Sequence, residues 1–266
     1  MAMRRQTKSA GAALVTGAAR RIGRQTALAL ARDGWDIAVH YATSRDEAIE
    51  TVQEIEAIGR RAIAVNRDLT VDAGVRSLLA ECAHELGEVT CIVNNASLFE
   101  YDNVSTFSAE SLARHMRTNV AAPVVLAQAL HESLAENARG VVINLLDQKL
   151  WNPNPDFLSY TLSKAALHEA TRLLAQALAP KVRVVAIAPG ITLRSGAQSD
   201  SAFETAHRRT PLERSSTPDD IAAAAVFLAR SAAITGTTLL VDGGQHLIRS
   251  ERDVMFAGDP GAVAPT

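Results

Sequence analysis

The chain has 266 residues, 47% of them hydrophobic, and a formal net charge of −2. That length is ample for one large buried core, and the charge gives no reason to expect nucleic acid or a membrane surface as partner. No apolar run approaches the roughly 18 residues of a membrane-spanning helix. Cys82 and Cys91 form no C-x-x-C pair, and no histidines fall at ligand spacing with a carboxylate between them, so neither a disulfide nor a metal site is expected. The expectation is a soluble, cytoplasmic protein with a single domain over 1–266.

Residues 1–17, MAMRRQTKSAGAALVTG, join positive charge to a short apolar run that ends in glycine, which reads as a basic leader into a strand rather than a signal peptide. AALVT (12–16) is the first strand, and RRIGRQTALALARDG (20–34) a helix closed by Gly34. A second strand, DIAVHY (36–41), leads to a charged helix over 45–58, a third strand RAIAVN (61–66) and a helix over 72–87. TCIVNNA (90–96) is the fourth strand. One long helix is expected over 111–137, a fifth strand at GVVINLL (140–146), and a helix over 157–178 that stops before Pro180. VRVVAIAPG (182–190), a helix over 218–229 and TTLLVDGG (237–244) complete the order. Residues 192–210 follow no readable pattern and are expected to cover a pocket. The stretch 249–266, ending GDPGAVAPT, is rich in Gly, Pro and Ala and is expected to be loose.

Several strands are near-continuous apolar runs without alternation, as parallel strands covered on both faces require. Strict β-α-β alternation with right-handed crossovers predicts an α/β fold. It is a single Rossmann-like, doubly wound sheet of about seven parallel strands with helices on both faces, its core spanning about 11–247. Ligands in such sheets bind beyond the carboxyl ends of the strands.

TGAARRIG (16–23) occupies the first such end. Gly17 and Gly23 permit a tight turn and close backbone approach, and the helix that follows presents free N–H groups and a positive dipole end to a diphosphate. Such a loop also serves as a plain strand-to-helix turn, but its place after the first strand of an alternating chain favours a dinucleotide. The second strand ends in His40 and Tyr41, followed by Thr43, Ser44 and Arg45, with no Asp or Glu for the ribose hydroxyls of NAD. Arg20 and Arg21 add cationic forks suited to a phosphate. Missing acid and added base together point to NADPH.

Beyond this loop the chain carries Asp68-Leu69, NNAS (94–97) closing the fourth strand, Asn119, Tyr160 and Lys164 as Y-x-x-x-K, PGIT (189–192) and VDGG (241–244). In this order and spacing the motifs resemble the short-chain dehydrogenase/reductase family over about 11–247. Two departures narrow the resemblance. The family pattern TGxxxGxG places glycine where Arg21 stands, and the family's serine, thirteen residues before the tyrosine, is Asp147. Both features resemble pteridine reductases and dihydromonapterin reductases, as do His40-Tyr41 and NNASLF, which puts Phe99 where that subgroup stacks a pterin. The subgroup's basic residue two positions after the tyrosine is Thr43 here, which leaves Ser44 or Arg45 to meet a 2′-phosphate.

The resemblance implies a cofactor site made by Gly17, Arg20, Arg21, Ile22, Gly23, His40, Tyr41, Ser44, Asp68, Leu69, Asn95, Ala96, Ser97, Leu145, Tyr160, Lys164, Pro189, Gly190 and Ile191. Asp68-Leu69 would lie at the adenine, and Lys164 would hold the nicotinamide ribose. Asp147, Tyr160 and Lys164 would be catalytic, with Asn119 maintaining a water path, and Arg21, Ser97, Phe99, Asp147, Phe157 and Tyr160 would surround a small pterin-like substrate. A homotetramer packed through the long helix and the tyrosine-bearing helix is also implied.

The chemistry follows from residue types. Tyr160 and Lys164, four apart, share a helical face, and a nearby ammonium is expected to lower a phenol pKa that is otherwise about 10. Reduction of a pterin C=N bond needs a proton at ring nitrogen, and a shielded carboxyl at a strand end, its pKa raised, would pass one on together with Tyr160. Asp147 also suits a cap on the turn into QKLWNPNPDF, but its register against Tyr160 favours the catalytic role. Phe99 and Phe157 would be flat walls for a heterocycle, though Phe157 also fits a core position, and Trp151 is a candidate for the entrance. These readings point to an NADPH-dependent pteridine reductase. A carbonyl or quinone reductase of the same fold and a non-catalytic NADPH-sensing module are the alternatives.

Overall fold

A computed structural model describes residues 9–194 and 200–256. Seven parallel strands, β1 (Ala12–Val15), β2 (Asp36–Tyr41), β3 (Ala62–Asn66), β4 (Val89–Asn94), β5 (Gly140–Leu145), β6 (Val182–Pro189) and β7 (Thr238–Val241), form one sheet in the order β3-β2-β1-β4-β5-β6-β7. The order reverses direction at β1, whose neighbours are β2 on one side and β4 on the other. That reversal opens a crevice at the carboxyl ends of β1 and β4, the place where doubly wound sheets bind ligands.

Successive residues of each strand serve opposite faces. Ala13, Val15, Val93, Ile143 and Ile187 pack one way, beneath α1 (Arg21–Arg32), α2 (Arg45–Ile58) and α8 (Pro218–Arg230). Ala12, Leu14, Ile92, Val142 and Val184 pack the other way, beneath α3 (Asp72–Leu86) and α5 (Ala122–Ser133). Full burial of each large aliphatic side chain contributes about 1.5–3 kcal/mol, and β5 is buried along its whole length, its one polar side chain, Asn144, accepting from the Asn94 amide and donating to the Thr171 hydroxyl. Cys82 and Cys91 are buried within these layers, and burial pushes each thiol up to about 12, which leaves them as small apolar packing groups. Among the described residues no helix is long and apolar enough to cross a membrane.

Three expectations change. The single helix over 111–137 is two, α4 (Ala109–Met116) and α5, joined by a π-helical turn, Arg117–Ala121. Pro123 has no N–H to return to the carbonyl four residues earlier, so the regular ladder fails at that point. The unpatterned stretch 192–210 contains α7 (Asp200–Arg208), although 195–199 lie outside the described residues.

The third change concerns the C-terminal stretch. Residues 249–256 are not loose but packed on the carboxyl ends of the strands. Arg252 pairs with Asp156 at 2.8 Å, Asp253 pairs with Lys149 at 3.1 Å, and Phe256 meets Tyr101 edge-on at 5.5 Å. Buried counter-charges hold what the Gly/Pro/Ala composition of the tail does not suggest. Residues 1–8 and 257–266 lie outside the described residues.

Candidate active site

The end of β1 is tied to the end of β4 through one hydroxyl. Thr16 Oγ1 accepts the backbone N–H groups of Asn95 and Ala96, each at 3.0 Å, while the Asn95 amide donates to the carbonyls of Thr16 and Gly17 at 2.9 and 3.1 Å. Gly17 has φ +63. Its N–H donates to His40 Nδ1 at 3.1 Å, and His40 Nε2 stands 3.0 Å from the Arg67 carbonyl. Nδ1 therefore accepts and Nε2 carries the proton, and burial lowers the pKa of this neutral ring. His40, expected at the cofactor, instead stands behind the loop and fixes its shape.

Gly23 is compelled by space: a Cβ there would lie 2.2 Å from the Gly17 carbonyl oxygen. Arg21, which occupies the position where the family pattern has glycine, retains the left-handed backbone that suits glycine, with φ 56. Its guanidinium donates to the Arg194 carbonyl at 3.1 Å. The first turn of α1 holds no acidic residue, so its positive end is uncompensated.

Gly17, Arg20, Arg21, Ile22, Gly23, Tyr41, Ser44, Asn95, Ala96 and Ser97 line a single cleft. Asp68 and Leu69 are not on that cleft wall. Asp68 is exposed and accepts hydrogen bonds from the backbone and hydroxyl of Thr70, each at 2.8 Å, while Leu69 is buried.

A second cavity adjoins the first, and Arg21 and Ile22 line both. Phe99, Asp147, Tyr160, Pro189, Gly190 and Ile191 face it. Asp147 leaves β5 and Tyr160 rises from α6 (Leu158–Ala177), and the Tyr160 hydroxyl donates to Asp147 Oδ2 at 2.9 Å. Asp147 Oδ1 accepts the Lys149 N–H at 2.8 Å, so the carboxylate caps the turn and meets the phenol at once. The two roles use different oxygens. Burial raises the Asp147 pKa against the opposing hydrogen bonds from Lys149 and Tyr160.

Lys164 corrects the expected electrostatics. Its ammonium donates to the Leu145 carbonyl at 2.7 Å and lies 5.6 Å from the Tyr160 ring centroid. Burial and then the adjacent Asp147 push the phenol well above its ordinary value rather than below it, and burial brings Lys164 down to about 8. The raised proton affinity keeps Tyr160 in the form that can donate a proton. Asn119, on the π-helical turn, accepts the Leu98 N–H at 2.7 Å and donates to the Leu98 carbonyl at 3.0 Å and to Ser163 Oγ at 2.9 Å. It clamps the 97–98 loop to α6.

The aromatic walls stand in series. Phe99 is 43% exposed and stacks on Phe157 at 4.3 Å with an interplanar angle of 13°. Phe157 is only 3% exposed, so it backs the wall that Phe99 presents and does not itself face the cavity. Trp151 packs edge-on against His168 at 5.3 Å and is likewise absent from the cavity wall. Sequence reasoning missed Gln148, Lys149 and Asp253, which do line it. Gln148 is buried with no hydrogen-bond partner for its Oε1.

A family model described as enoyl-(acyl carrier protein) reductase matches residues 17–246. A 3-oxoacyl-(acyl carrier protein) reductase of Staphylococcus epidermidis is 32% identical over 240 residues, covering 88% of this chain and 98% of that protein. The chain belongs to the short-chain dehydrogenase/reductase family. Among solved structures, FolM alternative dihydrofolate reductase 1 from Brucella suis, in complex with NADP, is similar at 40% identity and a TM-score of 0.87, covering 91% of this chain and 97% of that one. A reductase described as catalysing keto-reduction at C1 in lugdunomycin biosynthesis is 33% identical with a TM-score of 0.81, covering 90% and 98%.

Members of this short-chain family use a nicotinamide cofactor, and the residues present fit one. The methyl-free space at Gly23, the uncompensated start of α1 and the absence of a carboxylate at the end of β2 make a cradle for a diphosphate and leave room for a phosphorylated ribose.

Proposed function

We propose that the protein is an NADPH-dependent reductase of pterin-type heterocycles, and the observation that carries this reading is the hydrogen bond from Tyr160 to Asp147. A hydroxyl in place of Asp147 would donate to a ketone oxygen. A carboxyl with raised proton affinity instead has a proton to give to a basic ring nitrogen. The 40% identity to the Brucella dihydrofolate reductase structure supports the same substrate class.

Gly17, Ile22, Gly23 and the N-terminus of α1 would hold the diphosphate, and Arg20, Arg21, Ser44 or Arg45 the 2′-phosphate. Bound NADPH supplies the hydride. Phe99 offers a flat face to the heterocycle, and Arg21 and Ser97 reach its polar edge. As the ring carbon of the C=N bond gains hydride, the adjacent nitrogen takes one proton from the Asp147–Tyr160 pair. That leaves a reduced ring and a deprotonated dyad, which solvent then reprotonates. Lys164, fixed by the Leu145 carbonyl, keeps positive charge beside the dyad during the transfer. We also infer a homotetramer, supported by the exposed apolar side chains Leu162 and Leu173 on α6, and light scattering tests it.

The testing measurement is NADPH oxidation against dihydropterins, dihydrofolate and diketones. Turnover confined to the first two groups is expected, and turnover confined to diketones rejects the reading. The keto-reductase and acyl-carrier-protein reductase relatives favour a carbonyl reductase as the second reading. Cofactor binding with no turnover of any probe would instead mark an NADPH-sensing module.

A further inference from the structure

Four side-chain amides among the described residues line the cavity of Asp147 and Tyr160, and three of them are committed to the protein's own backbone. Asn152 donates to the Ile248 carbonyl at 2.6 Å and accepts the Ser250 N–H at 3.3 Å. Asn154 Oδ1 accepts the Asp156 N–H at 3.2 Å, and Gln245 Oε1 accepts the Ile191 N–H at 2.9 Å. Each of these bonds fixes a loop at the cavity rim. Gln148 is the exception. Its side chain is 8% exposed, and its Oε1 is buried without a hydrogen-bond partner.

The turn is held without that oxygen. The Gln148 carbonyl accepts the Trp151 N–H at 2.9 Å, and the Lys149 N–H goes to the Asp147 carboxylate at 2.8 Å. Folded proteins pair nearly all of their buried polar atoms, because an unpaired one forfeits its hydration and gains nothing in return. An apolar side chain of the same length would fill the space at 148 and avoid that loss. A glutamine here weakens the folded protein unless something outside the chain uses its oxygen.

We propose that Gln148 is a substrate-recognising residue whose carboxamide oxygen accepts an N–H of the heterocycle. The proposal rests on the pterin reading above and adds a requirement to it: the substrate must carry an N–H donor close to the C=N bond that is reduced. Gln148 follows Asp147 directly, and consecutive residues lie about 3.8 Å apart along the chain, so a ring whose nitrogen meets the Asp147–Tyr160 pair lies within a few ångströms of residue 148. The terminal torsion of glutamine is broad, which lets the oxygen turn to a donor in the cavity. Pterin-type rings carry such N–H groups. A ketone or a quinone carries none and leaves the oxygen unpaired, the situation in which a site built around a polar group discriminates most strongly.

The test separates recognition from support of the turn. Gln148→Met keeps the length of the side chain and removes the amide. Calorimetry of 7,8-dihydropterin with protein saturated by NADP+, which cannot supply a hydride, reads substrate binding alone. The variant should bind the dihydropterin about tenfold more weakly, and its affinity for NADP+ should change by less than that, since Gln148 is not on the wall of the glycine-loop cleft. Its melting temperature should hold or rise by about 2–4 °C, because no buried oxygen is left unpaired. Gln148→Leu carries the same expectations and serves if the methionine variant does not fold.

Dihydropterin affinity equal to that of the parent overturns the proposal. So does a loss of affinity accompanied by a lower melting temperature, which would mark a side chain that only supports the turn. A parent protein that binds no dihydropterin rejects the pterin reading and this proposal with it, whereas equal binding by parent and variant rejects this proposal alone.

Discussion

The Tyr160 hydroxyl and Asp147 Oδ2 stand 2.9 Å apart, with the phenol donating. The phenol thus keeps its proton and uses a carboxyl oxygen as acceptor. This geometry explains why burial and Asp147 together hold Tyr160 in its neutral form. Removing the hydroxyl in Tyr160→Phe takes away one member of the proton-delivering pair and leaves the ring that meets Phe99 edge-on at 4.7 Å. Turnover should fall by at least about 100-fold, the lower range for loss of a general acid, while NADPH binding measured by fluorescence stays within about twofold. Unchanged turnover would remove Tyr160 from the mechanism.

Asp147→Ser separates the two substrate classes. The hydroxyl restores the side chain found at this position in the wider family and abolishes the carboxyl proton. Reduction of dihydropterins should drop by about 100-fold, whereas reduction of a diketone should hold or rise. The serine hydroxyl accepts the Lys149 N–H more weakly than the carboxylate does, at a cost of up to about 1 kcal/mol, so melting temperature should be measured beside activity. Equal losses for both substrate types would show that the carboxylate serves only the turn.

The glycine loop permits a sharper structural test. In Gly23→Ala the added methyl would meet the Gly17 carbonyl at 2.2 Å and the Asn95 amide nitrogen at 2.5 Å. The helix start must move, which costs about 1–3 kcal/mol of stability as overpacking. The diphosphate cradle is deformed at the same stroke. NADPH affinity by calorimetry should fall more than tenfold, and retention of parent affinity would show that the cofactor does not approach this backbone.

The fold was legible because its cause is simple: strands buried on both faces are mostly apolar, and they alternate with runs of helical period. The Asp147–Tyr160 pairing was legible because a fixed spacing between a strand end and a helical turn brings both into one cleft. Lys149–Asp253 was not. A lysine two residues after a candidate acid looks like a solvated turn residue, and only the return of the chain about a hundred residues later buries it. Phe157 could not be assigned to wall or core, because that depends on which ring lies over it, and Phe99 does. His40 fitted the cofactor by position, yet the sequence holds no sign that Gly17 and Arg67 would take both ring nitrogens.

That last arrangement makes the loop sensitive to acid. His40 is buried, uses Nδ1 as an acceptor, and has its pKa lowered from 6.5 by burial. The unfolded chain therefore binds a proton at this residue more readily than the folded one. Between the folded value and 6.5, stability rises with pH. The contribution is full above about pH 6.5 and is lost as pH falls through the folded value, with a slope of at most about 1.4 kcal/mol per pH unit for one proton. His40→Asn retains an acceptor for Gly17 but does not titrate. Urea unfolding between pH 5 and 8 should show a shallower acid-side decline in the variant, at the expense of about 1 kcal/mol near pH 8 for the lost bond to Arg67. Identical pH slopes in the two proteins would mean that His40 is not the group that makes the loop acid-sensitive.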